Sequence, residues 1–213
     1  MEIQQFIKTL NNTEIGKGGT HECYVLVSKK VKNISKLFDS DLRPVFYNLK
    51  NGGTFDDIHI TKGGEFRING LGDFYRVNKV NAGDEILFEK RKIGNETNYY
   101  LNIRNKSNTI VFQKNSKGFD VLNIDRLLPK LINEKYETNV LYKGNVGKLE
   151  IKFKDSIKKR SDSPIKTDFY SLILDGKDIL NAFKSNEYIE LIESEKINRL
   201  KKIVVWKTYE FNY

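Results

Sequence analysis

Cysteine is nearly absent from this chain: Cys23 is the single one among 213 residues, so no internal disulfide can form and the fold must rest on its core. Histidine is limited to His21 and His59, which leaves no Cys/His ligand set for a structural zinc ion, and no metal site is expected. Prolines number three, and no window approaches the roughly 18 uninterrupted apolar residues that a membrane span requires. The start, MEIQQFIKTLNNTE, lacks the basic residues and long apolar run of a secretory leader. A soluble, cytoplasmic protein without a membrane partner is expected. Nothing in ECYVLV supplies a general base beside Cys23, so that thiol reads as a small buried apolar group. Walker-type GxxxxGK[ST], HExxH and Ser/His/Asp patterns are also missing, which disfavours NTPase and hydrolase chemistry.

What the chain does have is apolar material and positive charge. Hydrophobic residues make up 38% and aromatic residues 12%, enough for a real core. The formal net charge of +9 favours a polyanionic partner. Lysine-rich composition also arises without any such partner, so the deciding features must be local.

Along the chain, Cys23 to Val27 and Leu42 to Leu49 suit strands. Between them, Val31, Ile34, Leu37 and Phe38 fall at helical spacing and predict a short amphipathic helix. NGG at 51–53, KGG at 62–64, NGLG at 69–72 and NAGD at 81–84 then punctuate apolar stretches at the rhythm of a compact all-β domain. EILFEKR, YYLNIRN and TIVFQK continue as strands. From Phe119 to Tyr136 the apolar residues Val121, Leu122, Leu127, Leu128, Leu131 and Ile132 predict a helix, kinked at Pro129. We place a domain boundary near residue 116, with a mainly β domain over 1–116 and a small α+β domain over 117–213. The second would hold a hairpin of TNVLYK and KLEIKFK joined at GNVG, a basic loop, the strand DFYSLIL, a helix from Ile179 to about Leu200, and a last strand KIVVW.

Two neighbourhoods of the first domain carry functional chemistry. TEIGKGGTHECYVLV is a polar loop holding Lys17, Thr20 and His21 ahead of a buried strand. In DDIHITKGGEFRINGLGDF, a period of two puts Glu65, Arg67 and Asn69 on one strand face, with Phe66 and Ile68 toward the core. Arginine can fork onto guanine, a carboxylate can accept from cytosine, and Asn suits adenine, so these are the groups that read major-groove base edges. The same alternation also arises on a strand that is merely solvated.

The order of features over residues 7–90 resembles the DNA-binding pseudobarrel superfamily. It is most similar to the N-terminal effector-recognition domain of EcoRII-type restriction endonucleases and to plant B-three transcription-factor domains. The resemblance is carried by GKGGTHECYVLV, VKNISKLF, GEFRINGLGDF and VNAGDEILFEK in that order. It implies a seven-stranded open pseudobarrel with short helices that grips double-stranded DNA with two arms. The first arm would be Gly16 to His21. The second would be Thr61 to Asn69, with Glu65 and Arg67 on the base-reading positions and Lys62 as a phosphate contact. Thr61 and Gly63 stand where the EcoRII-type domain has basic residues, so the same target sequence is not expected. The resemblance further implies a place in a restriction system, beside a nuclease or an NTPase domain or subunit of the McrB-like kind.

The alternative is a small, complete, magnesium-dependent endonuclease. Glu150 and Lys152 in KLEIKFK form half of such a site, but its first acid is not evident, and charge alternation explains the pair equally. Asp168 and Asp175 lie too far apart along one strand to share a metal. A non-catalytic second domain is therefore expected, with Lys148, Lys152, Lys154, Lys158, Lys159 and Arg160 adding backbone affinity. An RNA-binding barrel is less favoured, because Tyr99 and Tyr100 pair with apolar neighbours and read as packing.

Overall fold

A computed structural model describes residues 1–17, 22–28, 30–31, 43–62, 66–158, 166–184 and 187–213, with the side chain of Lys62 excepted. The amphipathic helix expected at Val31 to Phe38 lies outside the described residues, Val31 apart. The chain divides into two compact units. The first comprises Met1–Lys106 together with Trp206–Tyr213, and the second is Ser107–Val205. The expected boundary near 116 instead falls inside the second unit, and the last eight residues belong to the first.

The first unit is mainly β, as expected. Its elements are β1 (Glu2–Thr9), β2 (Val25–Val27), β3 (Phe46–Asn48), β4 (Thr54–Phe55), β5 (His59–Lys62), β6 (Phe66–Asn69), helix α1 (Gly72–Val77), β7 (Glu85–Ile93), β8 (Glu96–Arg104) and β17 (Trp206–Asn212). A six-stranded sheet runs β17-β1-β7-β8-β3-β4, and a three-stranded sheet runs β2-β6-β5. Alternation along each strand sends one set of side chains inward. Phe6, Phe88, Leu101 and Phe46 from the larger sheet meet Val25, Val27 and Ile68 from the smaller one, with Leu71, Phe74 and Tyr75 closing the core. The apolar runs at 54–62 and 66–69 are therefore strands, as their spacing predicts, whereas the run between NGLG and NAGD is helix α1, which buries Phe74 and Tyr75.

The second unit corrects the α+β expectation. Its strands are β9 (Thr109–Lys114), β10 (Phe119–Val121), β11 (Lys135–Tyr142), β12 (Asn145–Lys158), β13 (Lys166–Leu174), β14 (Lys177–Asp178), β15 (Glu187–Ile192) and β16 (Asn198–Val204). They pair in the order β10-β9-β15-β16-β11-β12-β13, and β13 pairs back onto β10 through Phe119↔Tyr170 and Asp120↔Phe169. The sheet thus closes into a seven-stranded barrel around Phe112, Phe119, Leu149, Ile151, Leu172 and Ile189. Closure leaves no open edge in the ring to solvent.

Both helices expected in this unit are replaced. Residues 119–136 form β10 and two short 3-10 turns, with Asn133 and Glu134 at positive φ before β11. Pro129 sits in the second 3-10 turn, where it lacks a donor to continue a helix, and Leu128 and Ile132 are exposed rather than packed. Residues 179–200 form a 3-10 turn and the antiparallel pair β15–β16, in which Tyr188 to Leu191 are consecutively buried. The predicted β11–β12 hairpin is present, but its two-residue turn is Lys143–Gly144, both at positive φ, rather than GNVG. That geometry matches strand twist and favours glycine at the second position.

The chain leaves the first unit after Lys106 and re-enters at Trp206, and one carboxylate serves both crossings. Glu85 binds Lys106 at 2.9 Å, Arg104 at 3.6 Å and Lys207 at 3.9 Å, with its side chain only 9% exposed. Burial pushes this carboxyl up, but the Lys106 charge and hydrogen bond, with Lys207 and Arg104, outweigh it and leave its pKa below the usual 4.5. A carboxyl lowered in the folded state adds stability above its unfolded pKa and loses it as pH falls through the folded one. Glu85→Gln is therefore expected to lower stability at pH 7 by about 2–4 kcal/mol in urea unfolding. The gap between parent and variant should narrow below about pH 4.5. A constant gap down to pH 3 would show that the charge on Glu85 contributes nothing.

Candidate nucleic-acid interface

The two predicted arms differ in how much of them is described. Of the first, Lys17 is exposed at the end of a tight turn, its backbone N–H donating to Asn12 O at 2.8 Å. Thr20 and His21 lie outside the described residues. Of the second, Thr61, Arg67 and Asn69 are described, Lys62 is placed by register opposite Phe66, and Glu65 lies outside the described residues.

The β5–β6 register places Arg67 and Asn69, the described part of the predicted stripe, beside Thr61 and His59. Pairs His59↔Asn69 and Thr61↔Arg67 put these four residues on one face of the hairpin, while Ile60↔Ile68 face the core. Asn69 Nδ2 donates to Thr61 Oγ1 at 3.0 Å, tying the diagonal. His59 Nδ1 donates to the Asp57 carbonyl at 2.8 Å, because a carbonyl can only accept, and Nε2 is left at the outer end of the ring. On the other side of β6, Leu26 of β2 pairs with Arg67. Two residues upstream of Leu26, the Tyr24 ring lies under the Arg67 guanidinium at 4.6 Å, and the Glu22 carboxylate is 4.0 Å from Arg67 Nη1. The face therefore carries Glu22, Tyr24, Arg67, Asn69, Thr61 and His59. Sequence reasoning assigned no role to Glu22, Tyr24 or His59. Period-two parity in HITK could have added His59, but Glu22 and Tyr24 required the β2–β6 register.

A buried ion pair anchors the foot of the first arm. Lys8 of β1 and Glu14 bind each other directly, with side chains 6% and 1% exposed. Glu14 also accepts from Leu26 N at 2.8 Å and Asn11 N at 3.1 Å, and Lys8 donates to Leu26 O at 2.6 Å. Tyr24 N donates to Glu14 O, and Ile15 bridges Cys23, so both ends of the arm are stitched together. Beside them, the buried Tyr75 hydroxyl is held well above the ordinary tyrosine range, by burial first and then by the Glu14 charge. Burial likewise raises the Cys23 thiol, in keeping with a packing role.

In the second unit, Glu150 and Lys152 occupy a face of alternating charge. Lys135 binds Glu150 at 2.7 Å and Glu137 at 2.5 Å, and Lys148 binds Glu137 at 2.6 Å. Hydrogen bonds from Lys135 and Lys148 hold the Glu137 carboxyl down to about 2. Among the described residues no group of three or more His, Cys, Asp or Glu could hold a metal ion. Asp175 is committed to structure, accepting from Lys148 N at 2.8 Å. Lys152, Lys154 and Lys158 are exposed along β12, whereas Lys159 and Arg160 lie outside the described residues. No described helix is long and apolar enough to cross a membrane.

No model of a known protein family matches the chain, and no curated protein matches it. Solved structures that match include the Arabidopsis FUS3-DNA complex, which is 15% identical, covers 46% of this chain and 94% of that chain, and superposes with a TM-score of 0.32. At that score the likeness assigns neither a family nor an activity to this chain.

The foot of the second arm depends on Gly70. Its φ is +78°, and a Cβ there would stand 2.2 Å from the Asp57 carbonyl oxygen, next to the buried Ile58 that leads into β5. Gly70→Ala is expected to cost roughly 3 kcal/mol or more in chemical unfolding, from the left-handed backbone and the backbone clash together. A loss under about 1 kcal/mol would mean that residues 57–58 move aside freely.

Proposed function

We propose that this chain is a sequence-specific double-stranded DNA-binding protein whose first unit reads the major groove. The observation that carries the reading is the polar face of the smaller sheet, where Arg67, Asn69, Thr61, His59 and Glu22 converge from separate segments around a buried Tyr24 platform. These groups supply a guanidinium fork, an amide, hydroxyl and imidazole groups and a carboxylate, which together can address the donor and acceptor pattern of base pairs. The resemblance over residues 7–90 supports treating the two sheets as a pseudobarrel with two arms, and supports a place in a restriction system beside a nuclease or NTPase partner. The net charge of +9, divided about equally between the two units, supplies the sequence-independent attraction to phosphate.

A self-sufficient nuclease using Glu150 and Lys152 is the less favoured reading. Glu150 is already bound to Lys135 on a face where Lys135, Lys148 and Lys152 outnumber Glu137 and Glu150. Incubating plasmid DNA with the protein and magnesium separates the two, since cleavage would favour the enzyme.

Selection of duplexes from a random pool tests the main reading: a recovered consensus is expected, and enrichment of no sequence would end it. On the selected site, Arg67→Ala should weaken binding by about 1–3 kcal/mol while leaving non-specific binding nearly unchanged. Equal losses on selected and random duplexes would make Arg67 a phosphate contact instead.

The second unit is read as adding backbone affinity through the exposed lysines of β12. Replacing Lys152, Lys154 and Lys158 by glutamine should weaken binding to all sequences and make log affinity fall less steeply with log salt. Each lysine that neutralises a phosphate accounts for up to about 0.9 of that slope. An unchanged slope would show that this strand does not reach the DNA.

A further inference from the structure

Glu22, the residue after the first arm, and Arg67 of the second arm meet at one point of the polar face. Their closest oxygen and nitrogen are 4.0 Å apart, with side chains 74% and 34% exposed. The Arg67 guanidinium lies over the Tyr24 ring, and Tyr24 is itself buried, so the cation rests on a fixed platform. A separation of 4.0 Å is beyond hydrogen-bonding range, so the two charges face each other without a bidentate bridge between them.

We propose that Glu22 and Arg67 together read a single G·C base pair, with Glu22, immediately after the first arm, the specificity-determining residue. This rests on the reading of the polar face as a major-groove surface. In that groove a G·C pair presents, in order, the acceptors G N7 and G O6 and then the C N4 amino donor. O6 and N4 are joined by the Watson–Crick hydrogen bond and so lie about 2.9 Å apart. An arginine fork on N7 and O6 leaves the neighbouring N4–H pointing at a position a few ångströms from the fork. The Glu22 carboxylate stands at such a distance from Arg67. An A·T pair in the same orientation keeps N7 but turns the other prong of the fork and the carboxylate contact repulsive: its N6 amino donor faces the guanidinium and its O4 acceptor faces the carboxylate. The carboxylate opposes attraction to phosphate, so it serves discrimination rather than general affinity.

The test uses the full chain and a duplex taken from the random-pool selection. Competition with variants of that duplex, each changed at one base pair, first locates the pair at which Arg67→Ala relaxes the preference. Glu22→Ala should relax the preference at that same pair by about tenfold, through lower affinity for the G·C duplex. Glu22→Gln, whose amide oxygen still accepts, should keep part of it. Thermal midpoints should match the parent, since the side chain is exposed. The proposal is overturned if Glu22→Ala leaves the preference profile intact while Arg67→Ala alters it. It is equally overturned if Glu22→Ala strengthens binding to selected and random duplexes alike, because Glu22 would then be only a brake on phosphate attraction. If the unaltered protein prefers no sequence, the major-groove reading itself fails and this proposal with it, an outcome visible before any substitution is made.

Discussion

The site depends on an ion pair set inside an apolar core. Lys8 shares the inward parity of Phe6 on β1, so its ammonium group is carried under the smaller sheet, and both Lys8 and Glu14 are buried. Burying a charge costs several kcal/mol unless it is paired and hydrogen-bonded, so Glu14 must stand opposite it. The pair then binds Leu26 on both backbone faces and caps the turn at Asn11. Three segments distant in sequence are thereby fixed: β1, the foot of the first arm, and β2. Because β2 pairs with β6 and β6 with β5, the second arm inherits its position from the same contact. Apolar replacements of similar volume could fill the space, but they would lack the directional bonds that set the register.

A second constraint concerns connectivity. β1 lies between β7 and β17, so the chain must return from Ser107–Val205 to complete the larger sheet. β17 pairs along β1 from Glu2↔Asn212 to Lys8↔Trp206, so the chain re-enters the sheet opposite the buried lysine. Glu85, opposite Thr9 on β7, gathers Lys106 and Lys207 at the same end of the sheet. The closed barrel of the second unit thus emerges as an insertion between β8 and β17, folding around its own core.

Much of the first unit was legible because its signals are local. Glycine-bearing turns at 51–53, 69–72 and 81–84 bound strands whose apolar residues alternate, and the stripe of Arg67 and Asn69 followed from parity alone. The second unit misled for an equally physical reason. Leu122, Leu127 and Leu131 fit a helical stripe, but Pro129, with Asn133 and Glu134 at positive φ, breaks that stretch into turns. In Tyr188 to Leu191 both strand faces are buried, so the period-two signal that marks a strand is erased and a helix fits as well. The return of β17 was illegible, since nothing near Trp206 specifies pairing with β1 rather than with β16.

The composition of the polar face shows where sequence reasoning stops. Arg67 and Asn69 can be chosen from their own strand, but what Arg67 can discriminate depends on which side chains β2 brings beside it. A register slip of one residue between β2 and β6 would move Tyr24 and Glu22 off that face and replace them with apolar neighbours. That register is held by the Lys8–Glu14 pair through Leu26, some distance behind the surface that it arranges. Cation–π contact with a buried ring restricts the guanidinium before any ligand arrives, which lowers the ordering cost of a directional contact. The buried charges and the exposed ones are therefore parts of one arrangement, in which the first fix the geometry that gives the second their selectivity.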